Sequence, residues 1–307
     1  MSYMHINNLY KDKSILLFKE CYALEKIHGT SAHISFSPGN ISLIDGHIDG
    51  AEIKFFSGGM SHELFLSLFD KDDLLQKFAL IGTKQKTVIY GEAYGGKMQG
   101  MKEVYGPDAK FVVFEVKIGD YWLKVPDAED VTNKLGLEFV HYDRIPCTIE
   151  ALDAERDKDS VQAFRNGMGW GKKREGIVLR PLIEVTTNDG SRIIAKHKGE
   201  AFCETYTARR LDVDPQVLAD AESIAEEWVT PMRLRHVLDA VHVKLGRGVG
   251  IEDTGMVIEM MVSDVLREAE GEIVDDRTVR KTLGSYAARM FKFFLKMESE
   301  SLAHWRR

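Results

Sequence analysis

The sequence predicts an α+β protein in two parts. Antiparallel sheets with flanking helices are expected over residues 1–207, and an all-α unit over residues 208–307. Three observations predict this. Short runs rich in β-branched and aromatic residues recur up to about residue 200, and many are separated by glycine-containing breaks. Beyond Leu211 no convincing strand remains, and apolar residues recur at helical spacing instead. A length of 307 residues has room for about two domains.

The expected strands are Ala51–Phe56, Thr87–Tyr90, Lys110–Lys117, Tyr121–Lys124, Glu138–Tyr142, Gly176–Arg180 and Arg192–Lys196. Breaks fall at Pro38-Gly39-Asn40, Asp45-Gly46, Ser57-Gly58-Gly59 and Asn188-Asp189-Gly190. Ser61 is a candidate cap for a helix running through Leu64, Leu68 and Leu75, and Ser160–Asn166 reads as a short helix closed by Gly167. Tyr206–Asp214 is the expected linker. Thr230-Pro231 pairs a cap with proline at the first helical position, and Gly246 ends that helix. Asp253–Glu270 turns Val257, Met261, Val265 and Leu266 to one face and stops at Gly271. Asp275-Asp276 opens a last helix with Val279, Leu283, Tyr286 and Met290 inward.

A hydrophobic content of 44% is ample for a core. Cys21, Cys147 and Cys203 are odd in number and widely spaced, which points to neither a disulfide framework nor a zinc site. The apolar run Ile15–Phe18 is too short to span a membrane, and no cleavage-site pattern follows it. A cytoplasmic location without secretion is therefore expected (the host cytoplasm for a viral chain), with no membrane association. A net charge of −7 argues against blanket electrostatic binding of nucleic acid but leaves room for a local basic track. Lys172-Lys173-Arg174 and Arg209-Arg210 are candidates for it, against the blander reading of a solvated face.

The chemistry concentrates in five segments. Glu25-Lys26-Ile27-His28-Gly29-Thr30 sets a lysine between an apolar run and a glycine, and Gly29 lets backbone approach a nucleotide closely. A lysine amine attacks phosphorus only when unprotonated, which burial and neighbouring cations favour. The others are Val88–Gly96, Phe111–Lys117, Arg174–Pro181 and Ile194–Lys198. Lys196 and Lys198 alternate on one expected strand and so share a face. Glu92 and Glu175 are oxygen donors of the kind a hard Mg²⁺ or Mn²⁺ ion takes, directly or through water. Glu175 precedes a buried-looking run, where an unpaired carboxylate is costly.

In order and spacing these segments resemble the motif set of the lysine nucleotidyltransferase superfamily, the polynucleotide ligases and mRNA capping enzymes. Histidine in Lys26-Ile27-His28-Gly29 is similar to the RNA ligase 2 family and the kinetoplastid RNA-editing ligases, and a helical C-terminal unit resembles that branch too. The resemblance implies a nucleotidyltransferase fold for the first part and an ATP-dependent RNA ligase sealing 3′-OH and 5′-phosphate ends, as in RNA repair. It implies Lys26 as the nucleophile that carries AMP, and Lys196 and Lys198 on the α-phosphate. It gives His28 a role in adenylate transfer, Glu92 a contact to the ribose, and Phe114 a stack on adenine. Glu25 and Ile27 are expected against the base through backbone or side chain, and Glu92 and Glu175 against the metal.

The expected partner is RNA, nicked or duplex, with an RNA/DNA hybrid also open, and no obligate protein partner is evident. The helical unit is expected to grip nucleic acid, with Arg233, Arg235, Lys281 and Lys292 available. A DNA ligase or capping-type guanylyltransferase, or an inactive ligase-like RNA-binding module, are the rival readings. One departure stands out. The family commonly carries an arginine on a strand near Ser57, where this chain has Lys54-Phe55-Phe56. Lys54 is the best substitute, a point charge in place of a fork.

Overall fold

The computed structural model describes residues 3–41, 48–203, 205–207 and 217–304. The Asp45-Gly46 break, Arg209-Arg210 and residues 208–214 of the expected linker lie outside the described residues. The chain divides into two units, Met1–Gly199 and Glu200–Arg307.

The first unit carries two main antiparallel sheets. Its elements run β1 (Glu20–Lys26), β2 (Thr30–Ser37), β3 (Asn40–Ile41), β4 (Ile48–Asp49), β5 (Glu52–Ser57), α1 (His62–Leu66), α2 (Lys71–Ile81), β6 (Thr87–Gly95) and α3 (Lys102–Tyr105). They continue with β7 (Ala109–Ile118), β8 (Tyr121–Trp122), α4 (Val125–Lys134), β9 (Tyr142–Pro146), α5 (Ile149–Arg156), α6 (Val161–Arg165), β10 (Gly176–Pro181) and β11 (Ala195–Lys198). One sheet has the order β11-β10-β1-β9 and the other β5-β2-β6-β7-β8, while β3 and β4 pair with each other. A core of Ile34, Phe36, Phe55, Phe65, Phe78, Ile89, Val113 and Val116 packs under the five-stranded sheet.

Three local expectations change. β1 and β2 are strands that composition did not reveal. Glu-Cys-Tyr-Ala-Leu-Glu-Lys is mixed in propensity, and pairing with β10 on one side and β9 on the other decides its state. The helix begun at Ser61 is broken after Leu66, because the Asp70 carboxylate accepts from Asp72 N and Asp73 N at 3.0 Å and caps a second helix, α2. The strand expected at Glu138–Tyr142 is displaced. Residues 138–140 instead hydrogen-bond to Val113 (Val113 N to Glu138 O and Val140 N to Val113 O, both 2.8 Å), and the ladder with β1 starts at Tyr142.

The second unit is helical: α7 (Ala221–Trp228), α8 (Pro231–Leu245), α9 (Thr254–Glu268) and α10 (Arg277–His304). Thr230 caps α8 through Arg233 N at 3.3 Å, and Gly246 closes it in the left-handed conformation. Val257, Met261, Val265, Val279 and Leu283 are buried as their spacing requires, and Tyr286 and Met290 pack against them. Arg233 is a correction: it is fully buried, donates to Trp228 O at 3.0 Å and pairs with Asp264, so it presents no charge to a substrate. Arg235, Lys281 and Lys292 are exposed. Among the described residues no helix is long and apolar enough to cross a membrane.

Candidate active site

Strand register assembles the site. Lys26 on β1 lies opposite Gly176 on β10, and Gly176 lies opposite Lys198 on β11. Neighbouring strands stand about 4.8 Å apart, so Glu175, one residue before Gly176, falls within reach of both lysines. Its Oε2 accepts from Lys26 Nζ at 2.8 Å and faces His28 Nδ1 at 3.2 Å, and its Oε1 lies 3.1 Å from Lys198 Nζ. Burial alone would push the Glu175 carboxyl up, but Lys26, Lys198 and His28 together hold it well below the usual carboxylate range. Lys26 is the accessible member, its side chain 23% exposed against 1% for Glu175.

The turn after Lys26 is fixed from below. His28 N donates to the buried Tyr105 hydroxyl at 3.2 Å, and Gly29 N donates to Glu92 Oε1 at 3.1 Å. A Cβ on Gly29 would stand 2.3 Å from Ala93 O, so the approach of β6 by itself requires glycine here. Of the two routes by which Glu25 is expected to meet a base, backbone or side chain, the side chain is committed elsewhere. Its carboxylate is buried and accepts from Ser160 Oγ, from Val161 N at 3.0 Å and from Gln162 N at 3.2 Å, capping α6. That leaves its backbone for any contact with a base.

A cavity of about 200 Å³ opens beside this cluster, and Lys26, Ile27, Glu92, Phe114 and Lys196 line it. His28, Glu175 and Lys198 join them through the ion cluster. Lys196 stands in the row Leu24–Val178–Lys196, two residues along the sheet from Lys26. Phe114 owes its placement to a bulge: the β6–β7 register runs Tyr90↔Glu115 and then Gly91↔Val113, so Phe114 has no partner in the ladder. Such a bulge re-aims a side chain, here into the cavity wall. Burial pushes the Glu92 carboxyl up to about 8, with Lys26 opposing and Glu175 reinforcing the shift.

Other residues of this site were not singled out from the sequence. Tyr3, Met4, His5 and Ile6 line the cavity because the N-terminal segment adds to the edge of β11: Lys196 N donates to Asn7 O at 2.9 Å, and Leu9 N to Lys196 O at 2.8 Å. The Tyr3 ring meets Phe114 edge-on at 5.0 Å, and its hydroxyl donates to Glu115. Glu115 is buried with two arginines. Arg192 Nη1 donates to Oε2 at 2.9 Å, and Arg180 Nη1 lies 3.0 Å from Oε1. Phe114-Glu115 and Arg180 stand within the quoted segments, but no spacing rule signals that they meet. Nothing in the N-terminal residues announces a strand partner far along the chain.

Lys54 is 68% exposed and pairs with Glu52 at 2.9 Å, while Phe55 enters the core. Its strand face is that of Phe56, His33 and, further along β2, Ser31 opposite Glu92. Of the basic run before β10, Arg174 is buried against Glu155 at 2.8 Å and is unavailable to a substrate, whereas Lys173 is 65% exposed. No group of three or more His, Cys, Asp or Glu among the described residues is placed to hold a metal. Both Glu175 oxygens face cations. Glu92 Oε2 hydrogen-bonds to nothing among the described residues, so Glu92 is the better fit to a hard cation that keeps several waters and takes its other ligands from a substrate.

The arrangement offers an accessible amine at the mouth of a cavity, two further lysines beside it, and an aromatic wall. A family model described as RNA ligase matches residues 19–198. Among solved structures, Naegleria gruberi RNA ligase with PPi is similar at 17% identity and a TM-score of 0.47, covering 66% of this chain and 57% of that one. Lysine mutants of the Naegleria gruberi ligase, one with ATP and Mn and one with AMP and Mn, are similar at 16% identity and a TM-score of 0.46, with the same coverage. The chain thus spans 57% of the length of these proteins. No curated protein matches it. The family match runs from the residue before β1 to Lys198, more than half of the sequence, and on that match the chain belongs to the RNA ligase family.

Proposed function

We propose that this protein is an ATP-dependent RNA ligase that joins 3′-OH and 5′-phosphate ends through a lysine–AMP intermediate. The observation that carries the reading is the convergence of Lys26, His28 and Lys198 on the buried Glu175 carboxylate at the edge of the cavity that Lys196, Glu92 and Phe114 line.

In the first step the Lys26 Nζ lone pair attacks the α-phosphorus of ATP. A P–N bond forms, the bond to the bridging oxygen breaks, pyrophosphate leaves, and the amine releases its proton to solvent. Glu175 orients the amine from 2.8 Å. Lys196 and Lys198 neutralise charge that grows on the phosphorus oxygens, the kind of preorganised stabilisation that supplies most of the catalysis in such displacements. In the second step an oxygen of the RNA 5′-phosphate attacks the same phosphorus, the P–N bond breaks, and Lys26 regains a proton. In the third step the 3′-OH attacks the activated 5′-phosphate, a phosphodiester forms, the hydroxyl proton is lost to solvent, and AMP leaves.

Phe114 stacks on the purine and Ile27 packs against it, while His28 serves the transfer steps from its place beside Glu175. Glu92 would hold a Mg²⁺ or Mn²⁺ ion, which when bound would supply charge neutralisation at the phosphates. The helical unit grips nicked or duplex RNA, or an RNA/DNA hybrid, using exposed cations such as Arg235, Lys281 and Lys292.

Incubation with ATP or GTP labelled on the α-phosphate, with and without EDTA, tests the reading. Protein label from ATP that requires a divalent metal, followed by sealing of a nicked RNA duplex, is the expected result. Equal or better label from GTP turns the reading to a capping-type transferase, preference for an all-DNA nick turns it to a DNA ligase, and absence of label leaves an inactive RNA-binding module. A chain ending at Gly199 is expected to take the label while sealing nicks poorly.

A further inference from the structure

Outside the cavity, Phe164 and Trp170 form an aromatic stack with centroids 4.4 Å apart and planes at 17°. Both rings remain open to solvent, at 48% and 59% exposure. Two large rings stacked on each other yet uncovered leave a flat apolar face that the fold itself does not use.

The stack is held firmly at both roots. Phe164 sits on α6, whose first residues are fastened to Glu25, the neighbour of Lys26. Trp170 lies on the segment between α6 and β10, which is tied down by Met168 N to Ala163 O (3.0 Å), Gly171 N to Asp159 Oδ2 (2.9 Å) and Ser160 N to Lys172 O (2.6 Å). Gly167, Gly169 and Gly171 have φ of 79°, 75° and 89°, and a Cβ added to any of them meets nothing within 4 Å. These glycines therefore serve the backbone path and not space. Trp170 precedes Glu175 by five residues, at most about 18 Å of extended chain. A strand whose end lies at Lys26 can reach it.

The segment that carries the stack is itself basic, although Asp159 pairs with Lys173 and Glu138 with Arg165 from outside it. Residues 160–174 include Arg165, Lys172, Lys173 and Arg174 and no carboxylate, in a chain of net charge −7. Arg174 is buried with Glu155, but Lys173 is 65% exposed beside Asp159, Lys172 is half-buried, and Lys110 Nζ donates to Asn166 Oδ1 at 2.9 Å just after α6. A flat aromatic face bordered by lysines matches a single nucleic-acid strand, whose bases stack while its phosphates meet cations.

We propose that Trp170, braced by Phe164, is a stacking platform for a nucleobase of the RNA being joined, with Lys172 and Lys173 taking the adjacent phosphates. The proposal rests on the ligase reading above and adds to it a place where the substrate strand is held.

The test uses the full chain and its Trp170→Ala, Trp170→Leu and Trp170→Phe variants. Label transfer from ATP in the absence of RNA is measured first, then KM and kcat for a nicked RNA duplex, then the same with single abasic positions scanned across the nick. All variants are expected to take the adenylate like the wild type. KM is expected to rise about 5- to 150-fold in the Ala and Leu variants, with kcat little changed and the Phe variant close to wild type. One abasic position should raise KM for the wild type and leave the Ala variant unaffected. A wild-type KM in the Ala variant, or in the Leu variant, overturns the platform, the latter outcome marking an apolar contact such as a protein helix would make. Loss of adenylation in a folded Ala variant overturns it too, as a structural role. A wild-type chain that adenylates but does not act on RNA removes the platform and leaves nucleotidyl transfer standing. One that does not adenylate removes the ligase reading itself.

Discussion

Two buried carboxylates in the first unit, Glu175 and Glu115, are each 1% exposed and each ringed by cations, yet the cations differ. Glu175 faces two lysines and a histidine, all set by the register of β1, β10 and β11 in one sheet. Glu115 faces Arg180 and Arg192 and the Tyr3 hydroxyl, and it joins β7 of one sheet to β10 of the other. A lysine is a point charge on a flexible stem and can give up its proton, whereas an arginine is a permanently charged fork. The same electrostatic solution to burial therefore serves two ends. Around Glu175 it leaves an amine that can become a nucleophile, and around Glu115 it makes a fixed clamp at the side of the cavity. Buried charge is costly in both places, and the cations at Glu115 are the more deeply buried, Arg180 and Arg192 at 2% and 4% exposure against 23% for Lys26.

The sharpest way to break this contrast is Lys26→Ala. The variant is expected to lose all protein–AMP adduct while still folding, at a lower denaturant midpoint because buried Glu175 loses one of its cations. An adduct that persists, mapped by mass spectrometry to another residue, sinks the assignment. Glu115→Ala comes next and acts on the other quantity. Arg180 and Arg192 keep Glu184 as a second shared partner, so losing the Glu115 carboxylate should cost about 1–3 kcal/mol, read as a lower midpoint in denaturant. A variant as stable as the wild type would show that the cluster clamps nothing.

Lys198→Ala sharpens the first half of the contrast. Removing one charge from the reacting phosphate should slow adenylation by about 10²–10³-fold, with some loss of stability because Glu175 also loses a cation. A slowing no greater than that of a remote surface lysine variant would take Lys198 out of the machinery. The smallest expected effect is a pH dependence. Burial pushes the Glu92 carboxyl up to about 8 from an ordinary value of 4.5. Between those values the folded chain holds a proton that the unfolded chain does not, so stability falls as pH rises through that window and is level above it. Glu92→Gln removes the fall. The variant should therefore gain stability relative to wild type between pH 5 and pH 8.5. Equal differences at the two pH values would refute the shift.

Much of this was legible before any coordinates. Lys26, Glu92, Phe114, Glu175, Lys196 and Lys198 sit in segments whose order resembles a known motif set, and that resemblance singled them out. The helical unit was legible for a different reason. Its cores repeat at helical spacing and its ends carry local signals, Thr230-Pro231 and Gly246 at α8 and Asp276 before α10, where the Asp276 carboxylate accepts from Val279 N at 2.8 Å. Helix caps are interactions between near neighbours, so sequence alone states them.

What the sequence by itself determined is the class of the fold, the identity of the helices at the C-terminal end and the residues that gather at one cavity. The tertiary structure decided who meets whom. It made β1 a strand by pairing it on both sides, turned the Glu25 carboxylate from the base to the end of α6, buried Arg233 and Arg174, and brought Tyr3 to Phe114 and Glu115. These are contacts between residues tens to more than a hundred positions apart, set by strand register and by which charges can be neutralised when water is excluded. Neither condition is written in any local window of the chain, so only the folded arrangement could fix them.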